Sequence, residues 1–361
     1  MSQSYDHGGN VFSIARSLGL SPDQLIDFSA SINPLGISED VRQSLIGAID
    51  SLIHYPDASH TELKQALARH HGLPADHFTI ANGSTELIYN LPILLPGKCG
   101  KKALIIAPSF SEYPRSLSQH QWETHHFFLA SDDNFRLDIE ALERTLASGF
   151  DALFFCNPGN PNGLLYPLAL VENVIAACQA AGTFLILDEA FMDFCEEASA
   201  KRMIVENNNA VILRSMTKFF GIPGLRLGYA ISCAALAERL DALGGPWSVN
   251  TLALTAGVAA LQDVRHNQET LAYVRQERQK LLDNLAHFPQ FKMYPSSTNY
   301  LFGEIRGGLT SGELRERLLS RRILVRNCAN FIGLSDRFFR VAVRTAEENN
   351  RLVECLGEIL I

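Results

Sequence analysis

In the stretch Arg214–Tyr229, RSMTKFFGIPGLRLGY, one lysine keeps unusual company. Lys218 follows hydroxyls at Ser215 and Thr217, has apolar neighbours, and precedes Arg226 by eight positions. A lysine kept for solubility or for nucleic-acid phosphates has basic neighbours, and this one does not. An amine whose surroundings lower its pKa condenses with an aldehyde to an imine. Thirty residues earlier, Asp188 closes the apolar run FLILD. A buried carboxylate needs a cationic partner, and a protonated pyridine nitrogen would be one. Ser215, Thr217 and Arg226 supply two hydroxyls and a planar cation, a cradle for a phosphate monoester.

Two further stretches extend this set. NGSTE (Asn82–Glu86) leads into the apolar helical LIYNLPILL. Backbone N–H groups of Gly83, Ser84 and Thr85 are therefore expected to face the same phosphate from a helix N-terminus. Phe110, after APS, offers a flat face to a ring. Each element alone is ordinary, since Ser and Thr also serve as plain helix caps. Their order along the chain is the specific part. Aldehyde, pyridine nitrogen, phosphate and aromatic ring together describe pyridoxal 5′-phosphate, the cofactor this set predicts.

The elements that must hold these residues are legible too. KALIIAPSF (Lys102–Phe110), DALFFCNPGNP (Asp151–Pro161), TFLILDEAF (Thr183–Phe191) and AVILRSMTK (Ala210–Lys218) are short apolar runs ending in polar or turn residues. Helical segments such as Leu168–Gly182 lie between them, closing on glycine. Apolar strands alternating with helices predict an α/β fold with a mostly parallel sheet covered by helices. Ligands collect at the carboxyl ends of such strands, where the singled-out residues stand. The C-terminal third changes character. A long helical stretch over about Asn250 to Phe288 leads into a smaller α+β region. The division expected is an N-terminal arm over 1–40 packing near the active site, a large cofactor-binding domain over 41–248, and a small C-terminal domain over 249–361.

Bulk properties narrow the partners. The chain has 361 residues, 47% of them hydrophobic and 19% charged, with net charge −8. That balance argues against nucleic-acid phosphates as a partner. No apolar run is long enough to span a membrane, and no export signal is read at the N-terminus. Seven scattered cysteines without a C-x-x-C pair suit a reducing cytoplasm. No metal site is expected; the adjacent pairs His70-His71 and His125-His126 cannot share a helical face.

NPGNPNG (Asn157–Gly163), LDEAF, SMTKFFGIPGLRLGY and FFRVAVR resemble the signatures of fold type I pyridoxal-phosphate enzymes, the aspartate aminotransferase superfamily, and the likeness spans essentially the whole chain. The resemblance implies that Lys218 carries the cofactor as an imine. It also implies that Asp188 keeps the ring nitrogen protonated and that Asn160 hydrogen-bonds the ring oxygen. Arg226, Ser215 and Thr217 would bind the phosphate, and Tyr55 would reach it from a neighbouring subunit, so a homodimer is implied. Arg340 would clamp the substrate α-carboxylate. One departure is Phe191, where this branch usually carries Tyr; a hydrogen bond to the ring oxygen should be missing.

Within the superfamily the chain resembles the enzymes of phosphorylated amino compounds, histidinol-phosphate aminotransferases and threonine-phosphate decarboxylases. HGGN (His7–Asn10), SPDQLIDFSASINPLG (Ser21–Gly36), PWSVN and ILVRNCANFIGL resemble the decarboxylases. A His-Gly-Gly turn allows close backbone approach and adds an imidazole donor. With Arg326, His7 and Gly8 would make a second anion site beside Arg340, suiting O-phospho-L-threonine. Ser31 stands where those decarboxylases carry Asn; it would reach substrate through water or leave the role to Asn33. The expected reaction is loss of CO2 to give aminopropanol phosphate for cobalamin synthesis, with histidinol-phosphate transamination as the alternative. The two anion sites are compatible with either, because orientation at Cα selects the bond broken.

Overall fold

The computed structural model describes residues 7–360. The arm contributes a short strand, β1 (Ile26–Asp27). Seven strands then build the large sheet: β2 (Phe78–Ala81), β3 (Lys102–Ala107), β4 (Glu123–Phe128), β5 (Ala152–Cys156), β6 (Phe184–Asp188), β7 (Ala210–Ser215) and β8 (Gly228–Ser232). Their order is β2-β8-β7-β6-β5-β3-β4. Strands β3 to β7 pair in parallel, and β8 runs antiparallel to both of its neighbours.

Strands β5, β6 and β7 are buried at every residue, which is why they read as continuous apolar runs. Alternate side chains feed two cores. Leu153, Leu185 and Ile212 enter one, and Phe154, Ile186 and Leu213 the other. The edge strand β4 is only half-buried and carries His125 and His126. Parallel pairing puts the carboxyl ends of β3, β5, β6 and β7 at one rim, so Phe110, Asn160, Asp188 and Lys218 share it.

Five further strands follow: β9 (Phe291–Met293), β10 (Tyr300–Ile305), β11 (Ile323–Leu324), β12 (Arg326–Asn327) and β13 (Phe338–Ala342). Four of them form an antiparallel sheet in the order β12-β13-β10-β9, while β11 pairs in parallel with β1. Helices Ser311–Leu319 and Ala346–Ile359 pack on this sheet around Leu301, Leu314, Val341 and Leu352. Phe28 of the arm belongs to the same core. The arm is thus stitched into the C-terminal sheet and core.

The single helix expected over Asn250–Phe288 is two, Thr251–Gln262 and Val264–Ala286. Asp263 breaks it: its backbone leaves the helical region and its carboxylate accepts the His266 N–H, the usual behaviour of a capping residue. Ala253, Ala256 and Ala260 of the first helix pack into the large core, whereas Leu281 and Leu285 of the second join the C-terminal one. Among the described residues no helix is long and apolar enough to cross a membrane, and no cluster of His, Cys, Asp and Glu could hold a metal ion.

Candidate active site

The strand ends and the arm enclose a cavity of about 620 Å3. Lys218 lines it from the one-turn helix Met216–Phe219 that follows β7. Its Nζ donates to Ser215 Oγ at 2.7 Å. Loss of solvent around the amine lowers its pKa to about 8, with Asp188 pulling the other way. Asp188, at the end of β6, is 4% exposed. Tyr113 Oη donates to its Oδ2 at 2.5 Å, and the Ala190 N–H donates to its Oδ1 at 2.9 Å. Burial still raises the Asp188 pKa, despite these donors and Lys218. A carboxyl group with two donors, yet still under strain as an anion, fits a cationic ring nitrogen.

Ser215 Oγ and Thr217 Oγ1 lie 2.8 Å apart beside the lysine. Arg226 closes this end from a left-handed backbone conformation, φ 58°, its Nη1 donating to Pro223 O at 3.1 Å. Gly83 contributes clearance. A Cβ there would fall 2.8 Å from Arg226 Nη2, and its φ is +81°. Its own N–H donates to Ala81 O at 2.8 Å and so differs from the free donor expected. Ser84 and Thr85 open the eleven-residue helix Ser84–Leu94, which no side chain caps. The first N–H groups of a helix lack intrahelical acceptors, leaving these two for a phosphate. Gly228 permits the arrangement, since a Cβ on it would lie 2.3 Å from Ser84 N. Phe110 lines the cavity, its ring edge-on to Tyr113 at 5.8 Å. Together the amine, carboxyl, hydroxyl pair, guanidinium, helix start and aromatic face fit pyridoxal phosphate.

The opposite wall carries two arginines. Arg326 on β12 and Arg340 on β13 are register partners, 4% and 7% exposed. Like charges directly opposite in an antiparallel pair repel, so anions between or beside them are favoured. Arg340 donates from Nη1 to Asn160 Oδ1 at 2.6 Å and from Nη2 to Ser29 O at 3.2 Å. Its buried Nε is unsatisfied among the described residues. The guanidinium lies 4.7 Å from the centre of the Tyr300 ring. Arg326 Nη2 donates to Asn330 Oδ1 at 2.8 Å, with Phe331 5.3 Å from its guanidinium carbon.

The arm completes the wall. A Cβ on Gly8 would sit 2.1 Å from Ser29 O, and the Gly9 N–H donates to Ser29 Oγ at 2.9 Å. The glycines thus let the start of the arm pass close over Ser29. His7 Nε2 lies 2.9 Å from Glu112 Oε1, so its ring is partnered at the cavity edge. Ser31 is 5% exposed, lines the cavity, and has no partner for its Oγ among the described residues. Asn33 does not line the cavity and is engaged elsewhere. Its Nδ2 donates to Phe219 O at 2.8 Å and Thr270 Oγ1 at 2.9 Å, and its Oδ1 accepts the Leu35 N–H. Its own N–H donates to Lys218 O at 2.9 Å. Asn33 ties the arm to the lysine turn.

Tyr55 is 78% exposed and outside its own chain's cavity, stacked on Trp247 at 4.6 Å. Phe191 is buried, with Lys218 Nζ 5.6 Å from its ring centre and no hydroxyl to offer. Tyr113 escaped the sequence reading. Its signal was its place three residues after Phe110 in FSEYP, one helical turn on.

The family model for aminotransferase class I and II matches residues 23–356. Threonine-phosphate decarboxylase of Salmonella typhimurium is 42% identical over 98% of this chain and 96% of its own length. The adenosylcobalamin biosynthesis bifunctional protein CobDQ of Leptospira interrogans is 32% identical over 98% of this chain, which corresponds to 41% of that longer protein. Among solved structures, histidinol-phosphate aminotransferase from Clostridium acetobutylicum superposes with TM-score 0.86 at 28% identity, covering 93% of this chain and 99% of that one. By that match over most of the chain and these relatives, the chain belongs to the class I and II aminotransferase family.

Proposed function

We infer that this chain is a pyridoxal-phosphate-dependent carboxy-lyase. It removes CO2 from O-phospho-L-threonine and releases (R)-1-amino-2-propanol phosphate, the linker unit for cobalamin. The observation that carries the substrate is the buried cross-strand pair Arg326 and Arg340 on the cavity that holds Lys218. One guanidinium takes the carboxylate end and the other, with Gly8 and His7, the phosphate end. The relative at 42% identity supports decarboxylation over transamination.

The bound cofactor supplies an electron sink for the pair left at Cα when a bond there breaks. The chain does the rest. Lys218 would anchor the aldehyde and, its amine lowered by burial to a pKa of about 8, would return a proton to Cα. Asp188, which accepts from Tyr113 Oη, would keep the ring nitrogen protonated. Ser84, Thr85, Ser215, Thr217 and Arg226 would hold the phosphate, Phe110 the ring face, and Asn160 the ring oxygen. The two arginines orient the substrate, and orientation decides which bond at Cα is weakened.

The test is to add O-phospho-L-threonine to the cofactor-loaded protein and follow CO2 and the visible spectrum. Many equivalents of CO2 with the lysine-bound spectrum persisting support the reading. Conversion to pyridoxamine phosphate without CO2, and the same with histidinol phosphate, would make it an aminotransferase.

Three further expectations go with this reading. The homodimer is supported by a run of exposed apolar residues, Ile46, Ile49, Leu52, Ile53 and Tyr55, with Trp247 beside Tyr55. Tyr55 would enter the partner's site, and sedimentation would show the dimer. The division at 40 and 248 remains a proposal; helix Thr251–Gln262, just beyond the second boundary, packs into the large core, and helix Val264–Ala286 leads on to the C-terminal one. A cytoplasmic location is supported by seven free thiols.

A further inference from the structure

Behind the cofactor residues lies a charge cluster that touches none of the cavity. Side chains alternate along a strand, so Glu189 points away from Asp188 and Arg214 away from Ser215. On that rear face Arg214 and Glu189 are both fully buried, with Nη2 2.9 Å from Oε2. Arg214 Nη1 donates to Glu196 Oε2 at 2.7 Å and lies 3.5 Å from Asp193 Oδ1. Ser199 Oγ bridges the pair, donating to Glu189 Oε2 at 2.7 Å and accepting from Arg214 Nη2 at 3.0 Å. The remaining Glu189 oxygen accepts the Ala200 N–H at 3.0 Å.

The cluster reaches the neighbouring strand as well. Arg214 is the register partner of Tyr229 on β8, whose hydroxyl lies 2.8 Å from His71 Nε2. The other His71 nitrogen is 3.3 Å from Glu196 and 3.2 Å from Lys201 Nζ. Burial keeps that imidazole neutral, with a pKa of about 4. Three strand ends that carry Asp188, Ser215 with Lys218, and the approach from Arg226 are thus fastened from behind. The Glu189 N–H donates to Leu213 O at 2.9 Å, locking β6 to β7 at the level of the site.

A buried ion pair is weak evidence of stability, since desolvation offsets its attraction; fixing geometry is its better-attested use. Asp193 of this cluster also contributes to the field at Lys218. We propose that Glu189 and Arg214 are positioning residues, which set the spacing between Asp188 and Lys218 from the far face of the sheet. The proposal rests on the assignment of those two residues to the cofactor.

The test is Glu189→Gln in the full chain, titrated with pyridoxal 5′-phosphate across pH. Three carboxylates surround Arg214, so neutralising one leaves the guanidinium compensated, and the variant is expected to fold. The expected result is a cofactor Kd raised at least fivefold and a shift of half a pH unit or more in the midpoint of the visible band. In addition, kcat should fall at least fivefold with KM for O-phospho-L-threonine within twofold, because the substrate arginines sit on another sheet. A lower Tm with Kd, midpoint and kcat all unchanged would overturn the proposal. Should Glu189→Gln not fold, Ser199→Ala decides, with smaller changes of the same kind expected and unchanged constants counting against. A wild-type protein that develops no visible band would overturn the cofactor assignment, and the proposal with it; a normal wild-type band beside an unchanged variant overturns the proposal alone.

Discussion

Tyr113→Phe isolates one hydrogen bond at the centre of the site. The ring is fully buried and its hydroxyl donates to Asp188 Oδ2 at 2.5 Å. The substitution keeps the ring and deletes the donor. A hydrogen bond to a charged group contributes about 1.5–3 kcal/mol, and losing it leaves a buried acceptor short of a partner. Asp188 keeps the Ala190 N–H on its other oxygen, so its hold on a cationic ring nitrogen should weaken without vanishing. At 1.4 kcal/mol per decade the cofactor Kd should rise about 10- to 100-fold. The assay is equilibrium titration with pyridoxal 5′-phosphate, followed by absorbance. A Kd within twofold of the wild type would refute the reasoning, because Asp188 would then be set by something other than Tyr113.

The same variant makes a pH prediction with a definite sign. Asp188 already titrates above an ordinary carboxyl group, with burial the main cause and the Tyr113 donor opposing it. Removing the donor moves it further up. A folded-state pKa above the unfolded one means that the unfolded chain sheds its proton first. Stability of the cofactor-free protein therefore falls as pH rises through the interval between the two. In Tyr113→Phe the fall should extend to higher pH, as read by Tm against pH.

Lys218, with its pKa near 8, should take up cofactor about tenfold faster per pH unit below that value and level off above it; a flat stopped-flow profile would contradict this. Gly83→Ala would put a Cβ 2.8 Å from Arg226 Nη2 at φ +81°, so about 1–3 kcal/mol of strain should weaken cofactor binding roughly tenfold or more. Arg326→Met and Arg340→Met should each lower kcat/KM for O-phospho-L-threonine about 10- to 150-fold while leaving cofactor Kd near wild type. Asn33→Ala should cost about 1–3 kcal/mol of stability through its lost buried bonds, with KM little changed; a large KM effect at full stability would restore Asn33 to the substrate.

What the sequence disclosed followed from short-range rules. Continuous apolar runs ending in Asp188, Ser215 and Asn157 announce buried parallel strands and their carboxyl ends, because the signal sits in consecutive residues. Gly83 was legible as special but not for the right reason: its N–H turns back to Ala81, and its service is to leave room for Arg226. That contact joins residues far apart in the chain, and no local pattern encodes it. The anchoring bonds of Asn33 were hidden for a like cause, since its partners Phe219 and Thr270 lie far along the chain. The break at Asp263 was hidden because apolar periodicity continues on either side of it. Glu189 and Arg214 were visible only as neighbours of catalytic residues, since the alternation that sends them to the opposite face acquires meaning once the sheet is assembled.

The arm explains how two sites on separate sheets act as one. The cofactor residues stand on strand ends of the large sheet, whose spacing is fixed by backbone pairing. Arg326 and Arg340, the arginines proposed for the substrate, stand on β12 and β13 of the other sheet. Between them, β1 pairs with β11, the Ala342 N–H donates to Phe28 O, and Asn33 holds the carbonyl and side of the Lys218 turn. Arg340 itself donates to Asn160 of the large sheet and to Ser29 of the arm, joining all three parts. On the proposed reading, the angle at which a substrate held by two guanidiniums would meet the cofactor is set by this arm, whose close approach at Ser29 leaves no room for a Cβ on Gly8. Orientation at Cα selects the bond broken, so on the proposed reading the arm bears on the choice of reaction.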